Sequence, residues 1–249
     1  MERTKHHILI DFFVFLTLSG SASERSIIYS SYLSGNMQQW RITIDRMEGK
    51  TEKGPVFLQE LLNYQYGYIA WCLSNKRNTE AEKYLEKAEH IVTELEKNAI
   101  SPSVTNAYKA AFYGYRIGLN KWKAPFWGPK SETHARLAVR QEPGNWFAWV
   151  QLGNIAYYKP AAFGGSKAEG LEHYLKAEAL MEKEPELCRE NWNYLNLLTL
   201  IAEAYIATNK YEKAKSYFEK ILRIEPGFRW VKNELYPSFI KQYKETRHE

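Results

Sequence analysis

Cysteine is scarce in this chain, with two residues among 249 and no Cys-x-x-Cys pair. A disulfide-stabilised scaffold, a zinc-ribbon site and a dithiol redox motif are therefore excluded. Glycine and proline, at 14 and 9 residues, are also too few for a collagen-like or low-complexity chain. Apolar surface is abundant instead, since 45% of the residues are apolar and 15% are aromatic. The composition predicts a globular protein with a substantial core.

Neither sign of charge predominates in the sequence. The 34 basic and 29 acidic residues give a net charge of +5 and are mixed along the chain, with no block of five lysines or arginines. We therefore expect no nucleic-acid partner. G-x-S-x-G, P-loop and H-E-x-x-H motifs are also missing from the sequence. We accordingly predict no enzymatic activity, no catalytic residue, no cofactor and no metal site.

The N-terminus has the three-part layout of a secretory signal peptide. Arg3 and Lys5 precede an almost unbroken apolar run at 8–18, and small residues follow at 19–23. We predict that residues 1–22 are removed on export, which places the mature chain in the periplasm or outside the cell. A buried N-terminal helix is the alternative, because a charged aspartate interrupts the run.

The mature chain, residues 23–249, has helical periodicity throughout. No segment alternates apolar and polar residues for long, and helix formers dominate stretches such as 82–88. No later apolar run approaches the length of about 20 residues that a membrane span needs. We therefore predict one all-α domain without a membrane span.

A repeat is clearest near the C-terminus. When Ala202 is counted as position 8 of a 34-residue unit, the remaining packing positions carry large or small apolar residues in the expected order. These residues are Leu198, Ile201, Tyr205, Ala214, Phe218, Ile221 and Pro226. The pattern resembles the tetratricopeptide repeat (TPR). Small residues at positions 8 and 20 allow two helices to approach closely. The resemblance implies a right-handed α-solenoid of about five TPR-like helix-turn-helix units with a C-terminal capping helix.

The same frame places the other units. The predicted ranges are 24–50, 57–97, 103–143, 146–185 and 191–226, followed by a cap at 228–246. In the third unit Gly114 and Ser131 fall at positions 8 and 20, and in the fourth unit Gly153 and Gly170 do. The two residues of each pair are 17 positions apart, whereas they are 12 apart in the ordinary repeat. We therefore predict a long loop between the helices of both units.

The two predicted loops, 121–131 and 157–167, each carry a proline, an aromatic residue followed by glycine, and a serine suited to cap the next helix. They are either packed elbows or a ligand-binding lip formed by Phe126, Trp127 and Phe163. The segment 160–166 is similar to exported TPR proteins of Bacteroides-like bacteria, which implies a periplasmic or extracellular setting.

The TPR resemblance also implies a concave groove lined by the first helix of each unit. Carried onto this chain, the groove residues are Tyr108, Tyr115, Phe147, Val150, Asn154, Tyr157, Tyr158, Asn196, Thr199 and Glu203. Aromatic faces and amides suit an extended peptide or a glycan. We predict an exported scaffold or binding protein that recognises a protein or peptide segment. The alternative is a solute- or glycan-binding accessory component of a transport or uptake system.

The repeat frame makes a further prediction about the two cysteines. Cys72 falls at a packing position of the second unit, whereas Cys188 falls in the connection that enters the last unit. Two whole units separate them, and helix pairs in a solenoid contact only their neighbours. We therefore predict two unlinked thiols, with Cys72 buried and Cys188 more accessible.

Overall fold

The computed structural model describes residues 23–247, and these residues form helices with no strand among them. The predicted all-α class is confirmed, whereas the predicted signal peptide lies outside the described residues. The α-helices are α1 (Glu24–Ser34), α2 (Met37–Glu48), α3 (Pro55–Ser74), α4 (Asn78–Lys97), α5 (Pro102–Leu119), α6 (Ala124–Gln141), α7 (Trp146–Tyr158), α8 (Lys167–Met181), α9 (Pro185–Cys188), α10 (Trp192–Ala207), α11 (Tyr211–Ile224) and α12 (Tyr236–Arg247). Within the described part of the chain, no helix has the length and apolar character of a membrane span.

Local sequence explains where several helices begin and end. The side chains of Ser23, Asn145 and Ser166 each accept a hydrogen bond from a backbone N–H of the first turn that follows. Ser166 was predicted to do so. Gly35 ends α1 with a φ of 71°, a left-handed conformation that glycine adopts without steric cost.

The predicted long loop at 121–131 is wrong. A short 3-10 turn covers Lys121–Lys123, and α6 begins directly at Ala124 with Pro125 in its first turn. Proline is tolerated there because the first N–H groups of a helix have no intrahelical acceptor. Ser131 therefore lies inside α6, where its hydroxyl donates to the carbonyl of Ala110 at 2.8 Å instead of capping the helix.

The early start of α6 also changes which residues of α5 meet it. Gly114 was predicted at the close helix contact, yet it is exposed and an added Cβ would meet no atom within 4 Å. The buried small residues are Ala110 on α5 and Ser131 and Ala135 on α6. The close contact thus lies one helical turn earlier on α5 than the repeat frame predicts. In contrast, the second predicted loop is present between α7 and α8.

Consecutive helices pack in pairs: α1 with α2, α3 with α4, α5 with α6, α7 with α8, and α10 with α11. The first, fourth and fifth pairs lie inside the predicted ranges, whereas α3 begins at Pro55 and α5 at Pro102, just before the ranges 57–97 and 103–143. Successive pairs also contact each other. The expectation that each pair contacts only its neighbours is wrong for α10, because α1 packs against it and side chains of α2 and α3 contact its Trp192.

The contact of α3 with α10 depends on aromatic packing around a glycine. The indole rings of Trp40 and Trp192 meet edge to face at 5.2 Å. A Cβ added at Gly67 would lie 2.8 Å from an atom of each indole, so only glycine fits there without movement. The Trp192 Nε1–H group donates to the side-chain carbonyl of Asn63 at 3.0 Å.

Helix α1 reaches the other end of the chain as well. The Arg25 guanidinium donates to the backbone carbonyls of Arg189 at 2.6 Å and Glu186 at 3.2 Å. The Tyr29 hydroxyl donates to the Glu225 carboxylate at 2.5 Å. The first and last helix pairs are therefore joined directly by hydrogen bonds.

Both cysteines are free thiols, as predicted. Cys72 is fully buried in α3, and Cys188 at the end of α9 is half-buried.

Candidate ligand-binding site

The ten predicted groove residues divide into two sets. Tyr108, Phe147, Val150 and Thr199 are buried. The other six are half-buried or exposed: Tyr115, Asn154, Tyr157, Tyr158, Asn196 and Glu203.

The buried set packs helices together. The rings of Tyr108 and Phe147 lie 4.6 Å apart, and Tyr66 meets Phe147 edge to face at 5.1 Å. These three side chains come from α5, α7 and α3, so they fill the space where the three helices converge. Sequence reasoning placed Tyr108 and Phe147 towards a ligand because it did not account for contact between helices of different pairs.

Glu203, a half-buried residue of α10 in the accessible set, interacts electrostatically with Tyr157 and Tyr158. Within residues 23–247, no hydrogen-bond or ion-pair partner of its carboxylate is found. Burial raises the pKa of this carboxyl group above its ordinary value, because a charged carboxylate is poorly solvated there. Burial and then the Glu203 charge raise the pKa values of Tyr157 and Tyr158, which places both phenols near the carboxylate.

Two further tyrosines complete the surroundings of Glu203. The Tyr174 hydroxyl donates to the Asn154 side-chain carbonyl at 2.8 Å, and the Tyr32 hydroxyl to that of Asn196 at 3.3 Å. Burial raises the pKa of Tyr32, and the Glu203 charge adds to the effect. We call Tyr32, Tyr157, Tyr158 and Tyr174 with Glu203 the tyrosine site.

An exposed cation lies at the edge of the tyrosine site. Lys167 places its ammonium group 3.7 Å from the centre of the Tyr157 ring and 5.7 Å from that of Tyr158, and donates to the Tyr157 carbonyl at 2.5 Å. The two tyrosine rings meet edge to face at 4.9 Å, and Tyr158 is 63% exposed. The site thus offers an accessible aromatic surface beside a positive charge. Sequence reasoning missed Lys167, although it lies in a segment that had been singled out.

Helices α3 and α10 contact each other directly, although they belong to pairs far apart in the sequence. Asn193 donates to the Asn63 side chain at 3.0 Å, and Trp192 donates to the same residue. The rings of Tyr66 and Trp192 lie 6.2 Å apart.

The predicted lip residues do not form one feature. Phe126 is 59% exposed and Phe163 is 73% exposed, as a lip requires. Trp127 is half-buried and stacks on Tyr113 at 5.0 Å, as a packed elbow requires. Trp122, which was not predicted as a site residue, is 94% exposed just before α6.

Across the described part of the chain, no group of three or more His, Cys, Asp or Glu side chains is placed to hold a metal ion.

Comparison with known proteins informs the fold. No protein-family model matches the sequence, and no curated protein matches it either. The fold is similar to that of the HusA haemophore from Porphyromonas gingivalis, with a TM-score of 0.57 at 15% sequence identity. The alignment covers 77% of this chain and 97% of that one. At this identity the likeness concerns the fold.

Proposed function

We propose that this protein is an exported binding protein that captures a planar, carboxylate-bearing ring ligand of the haem class in the tyrosine site. The observation that carries the proposal is the pair of half-buried Tyr157 and exposed Tyr158, which lies beside the Lys167 ammonium group and a carboxyl group without a partner among residues 23–247. Similarity in fold to a haemophore supports the same class of ligand. The proposal assigns capture and release to the protein and no catalytic step.

The chemistry of the site fits such a ligand in four ways. The tyrosine rings offer flat faces against which a macrocycle can stack. Lys167 is exposed and can pair with a ligand carboxylate. A phenol oxygen is a known type of axial ligand to haem iron. Glu203, whose pKa is raised by burial, is more easily protonated than an exposed glutamate, and its protonated form can donate a hydrogen bond.

The contact between α3 and α10 supports a compact ligand over a peptide. A peptide groove must remain open at both ends, whereas Asn63 and Trp192 join helices of pairs far apart in the sequence. This supports the solute-binding alternative in an uptake system over the protein-recognition hypothesis.

We propose further that the five helix pairs form a TPR-like solenoid that serves as the scaffold of the site. The pairwise packing supports it, and so does the close approach of α7 and α8 at glycines. We also propose that residues 1–22 are a cleaved signal peptide, which N-terminal sequencing of the exported protein will test.

Titration with hemin, followed by its Soret absorbance, tests the ligand class. We expect saturable binding by the wild-type chain. Tyr158→Ala should weaken it about tenfold or more, equivalent to about 1.4 kcal/mol. Because Tyr158 is largely exposed, the circular-dichroism spectrum of the variant should not change. Trp122→Ala is the matched control, since it removes another exposed aromatic residue from a different part of the surface.

Tyr158→Phe separates two roles of the phenol. Retained affinity would show that the ring stacks against the ligand, whereas a loss equal to that of the alanine variant would show that the oxygen is needed. Unsaturable hemin binding by the wild type would overturn the proposal, and so would equal weakening by Tyr158→Ala and Trp122→Ala.

A further inference from the structure

A basic and aromatic segment at the surface joins α5 to α6. Residues 120–131 contain three lysines and three aromatic residues, and no arginine, aspartate or glutamate. Trp122 is 94% exposed, more than any other large apolar side chain of the described residues, and Phe126 is 59% exposed. We call residues 120–131 the lysine–tryptophan segment. None of them is a member of the tyrosine site.

The segment has a defined conformation that presents these two rings to solvent. The side-chain carbonyl of Asn120 accepts the Trp122 backbone N–H at 3.1 Å, and the chain is helical from there into α6. Trp127 stacks on Tyr113 of α5 at 5.0 Å, which fixes the start of α6 against α5. Because the backbone is already ordered, little conformational entropy is lost when Trp122 and Phe126 bind a partner.

Positive charge accompanies the exposed rings. Lys121 and Lys123 are exposed on either side of Trp122. The Lys130 ammonium group lies 3.9 Å from the centre of the Phe126 ring. Within the described part of the chain, none of the three lysines takes part in an ion pair. Aromatic rings and unpaired cations therefore share one stretch of surface.

The acidic side chains near the segment already have cations. Lys123 lines a cavity together with Glu82 and Glu89. Arg116 binds the Glu89 carboxylate, with its Nε at 3.0 Å, and its guanidinium lies 3.7 Å from Glu82. Glu132, the first acidic residue after the segment, is paired with one arginine and one lysine. The charge of the segment therefore remains available to an anionic partner outside the chain.

The residue types of the segment favour a lipid surface over a protein. Tryptophan is enriched at the level of the lipid headgroups, where lysine ammonium groups can pair with anionic headgroups. The core of a protein–protein interface is also enriched in aromatic residues, but it is enriched in arginine and depleted in lysine. Lysine is the only charged residue type of this segment.

We infer that the lysine–tryptophan segment docks the protein on the surface of a lipid bilayer that carries anionic headgroups. Trp122 and Phe126 enter the headgroup region, and Lys121, Lys123 and Lys130 pair with the headgroup charges. The docking is peripheral and does not depend on the haem-class ligand. It would hold the protein at a membrane whether or not the tyrosine site is occupied.

Co-sedimentation with sucrose-loaded vesicles tests the inference. One set of vesicles is phosphatidylcholine alone, and the other is phosphatidylcholine mixed with an equal part of phosphatidylglycerol. We expect the wild type to bind the anionic vesicles saturably and to be released as the salt concentration rises, because salt screens exposed charges. Tryptophan emission should shift to shorter wavelength on binding. The shift should be much smaller in Trp122→Ala, because Trp122 is the indole that leaves water.

Two kinds of variant separate the aromatic and the basic contributions. Trp122→Ala should weaken binding to the anionic vesicles about tenfold, and its circular-dichroism spectrum should not change because Trp122 is exposed. The triple variant Lys121→Gln, Lys123→Gln and Lys130→Gln should also weaken binding about tenfold or more.

A second triple variant is the matched control for the lost charge. Lys97→Gln, Lys183→Gln and Lys232→Gln remove the same number of exposed lysines from other parts of the surface. Binding should stay within about twofold of the wild type, because charges farther than a Debye length from the headgroups are screened.

Several outcomes would overturn the inference. These are the absence of saturable binding to the anionic vesicles, unchanged affinity of Trp122→Ala, and equal weakening by the two lysine triples. Binding of poly-glutamate without binding of vesicles would assign the segment to an acidic protein. A wild-type dimer that Trp122→Ala dissociates would assign it to a second copy of the chain. Hemin binding should be retained in Trp122→Ala, so the failure of one proposal is distinguishable from the failure of the other.

Discussion

Gly153 and Gly170 face each other across the contact of α7 with α8. A Cβ added at Gly153 would lie 3.2 Å from the Gly170 carbonyl oxygen, and one added at Gly170 would lie 3.1 Å from the Gly153 carbonyl oxygen. The added Gly153 Cβ would also come within 2.4 Å of the Tyr174 ring. Since Tyr174 is fully buried and donates to Asn154, this contact positions one wall of the tyrosine site.

Gly153→Ala should therefore destabilise the protein. The new methyl group must displace a buried ring, and overpacking of this kind costs about 1–3 kcal/mol. Thermal unfolding should show a decrease of several degrees, at about 2–4 °C per kcal/mol for a chain of this size. Gly114→Ala is the control, because its Cβ meets nothing within 4 Å. It should stabilise α5 by about 0.5–1 kcal/mol. Equal melting temperatures for wild type and Gly153→Ala would contradict the close contact.

Arg25 should hold α1 against the last helices. We expect Arg25→Ala combined with Tyr29→Phe to remove the hydrogen bonds to the carbonyls near α9 and to Glu225. Amide exchange in α1 should then accelerate, while exchange in α4, on another pair, should not change. Unaltered exchange in α1 would show that its apolar face alone keeps it in place.

Much of the fold could be predicted because helix-packing glycines and helix-ending residues act locally. Gly153 and Gly170 were assigned to the closest helix contact through the repeat frame, and the structure places them there. The start of α6 could not be read in the same way. Pro125, Gly128 and Pro129 are typical of a loop, yet the first turn of a helix tolerates proline and tertiary packing accommodates the rest.

The candidate site was only partly predictable. Tyr157, Tyr158 and Glu203 were singled out through the repeat frame, and they do lie near one another. Tyr32 was missed because it comes from α1, whose contact with α10 joins opposite ends of the chain. A periodic sequence pattern does not predict such a contact, because it depends on how all the helix pairs are arranged relative to one another.

The two cysteines should differ strongly in reactivity. Burial raises the pKa of Cys72 to about 12, and its side chain is fully buried. Cys188 is half-buried, and its thiol donates to the Met181 carbonyl at 3.5 Å. With iodoacetamide at pH 8 and no reductant, Cys188 should react first and Cys72 only when α3 opens. Mass spectrometry that finds equal labelling, or a bridge between the two, would contradict this order.

Glu203 should make the stability of the protein depend on pH, and replacing it by glutamine should remove that dependence. Burial raises the pKa of the folded-state carboxyl group, and no cation within residues 23–247 pairs with it. The folded state therefore binds the proton more tightly than the unfolded chain does. Its stabilising contribution is complete below the unfolded pKa of about 4.3 and is lost as pH rises through the folded pKa.

Glu203→Gln replaces the carboxyl group by a neutral group of the same shape, so it should raise the melting temperature at pH 7. The gain should shrink as the pH is lowered and disappear near pH 4, where the wild-type carboxyl is itself protonated in the folded state. Glu172→Gln, an exposed glutamate of α8, should show no such pH-dependent gain. Melting curves of the three proteins between pH 4 and pH 8 measure the effect. If Glu203→Gln raised the melting temperature by the same amount at every pH, the contribution of Glu203 to stability would not depend on its charge, which would contradict the prediction.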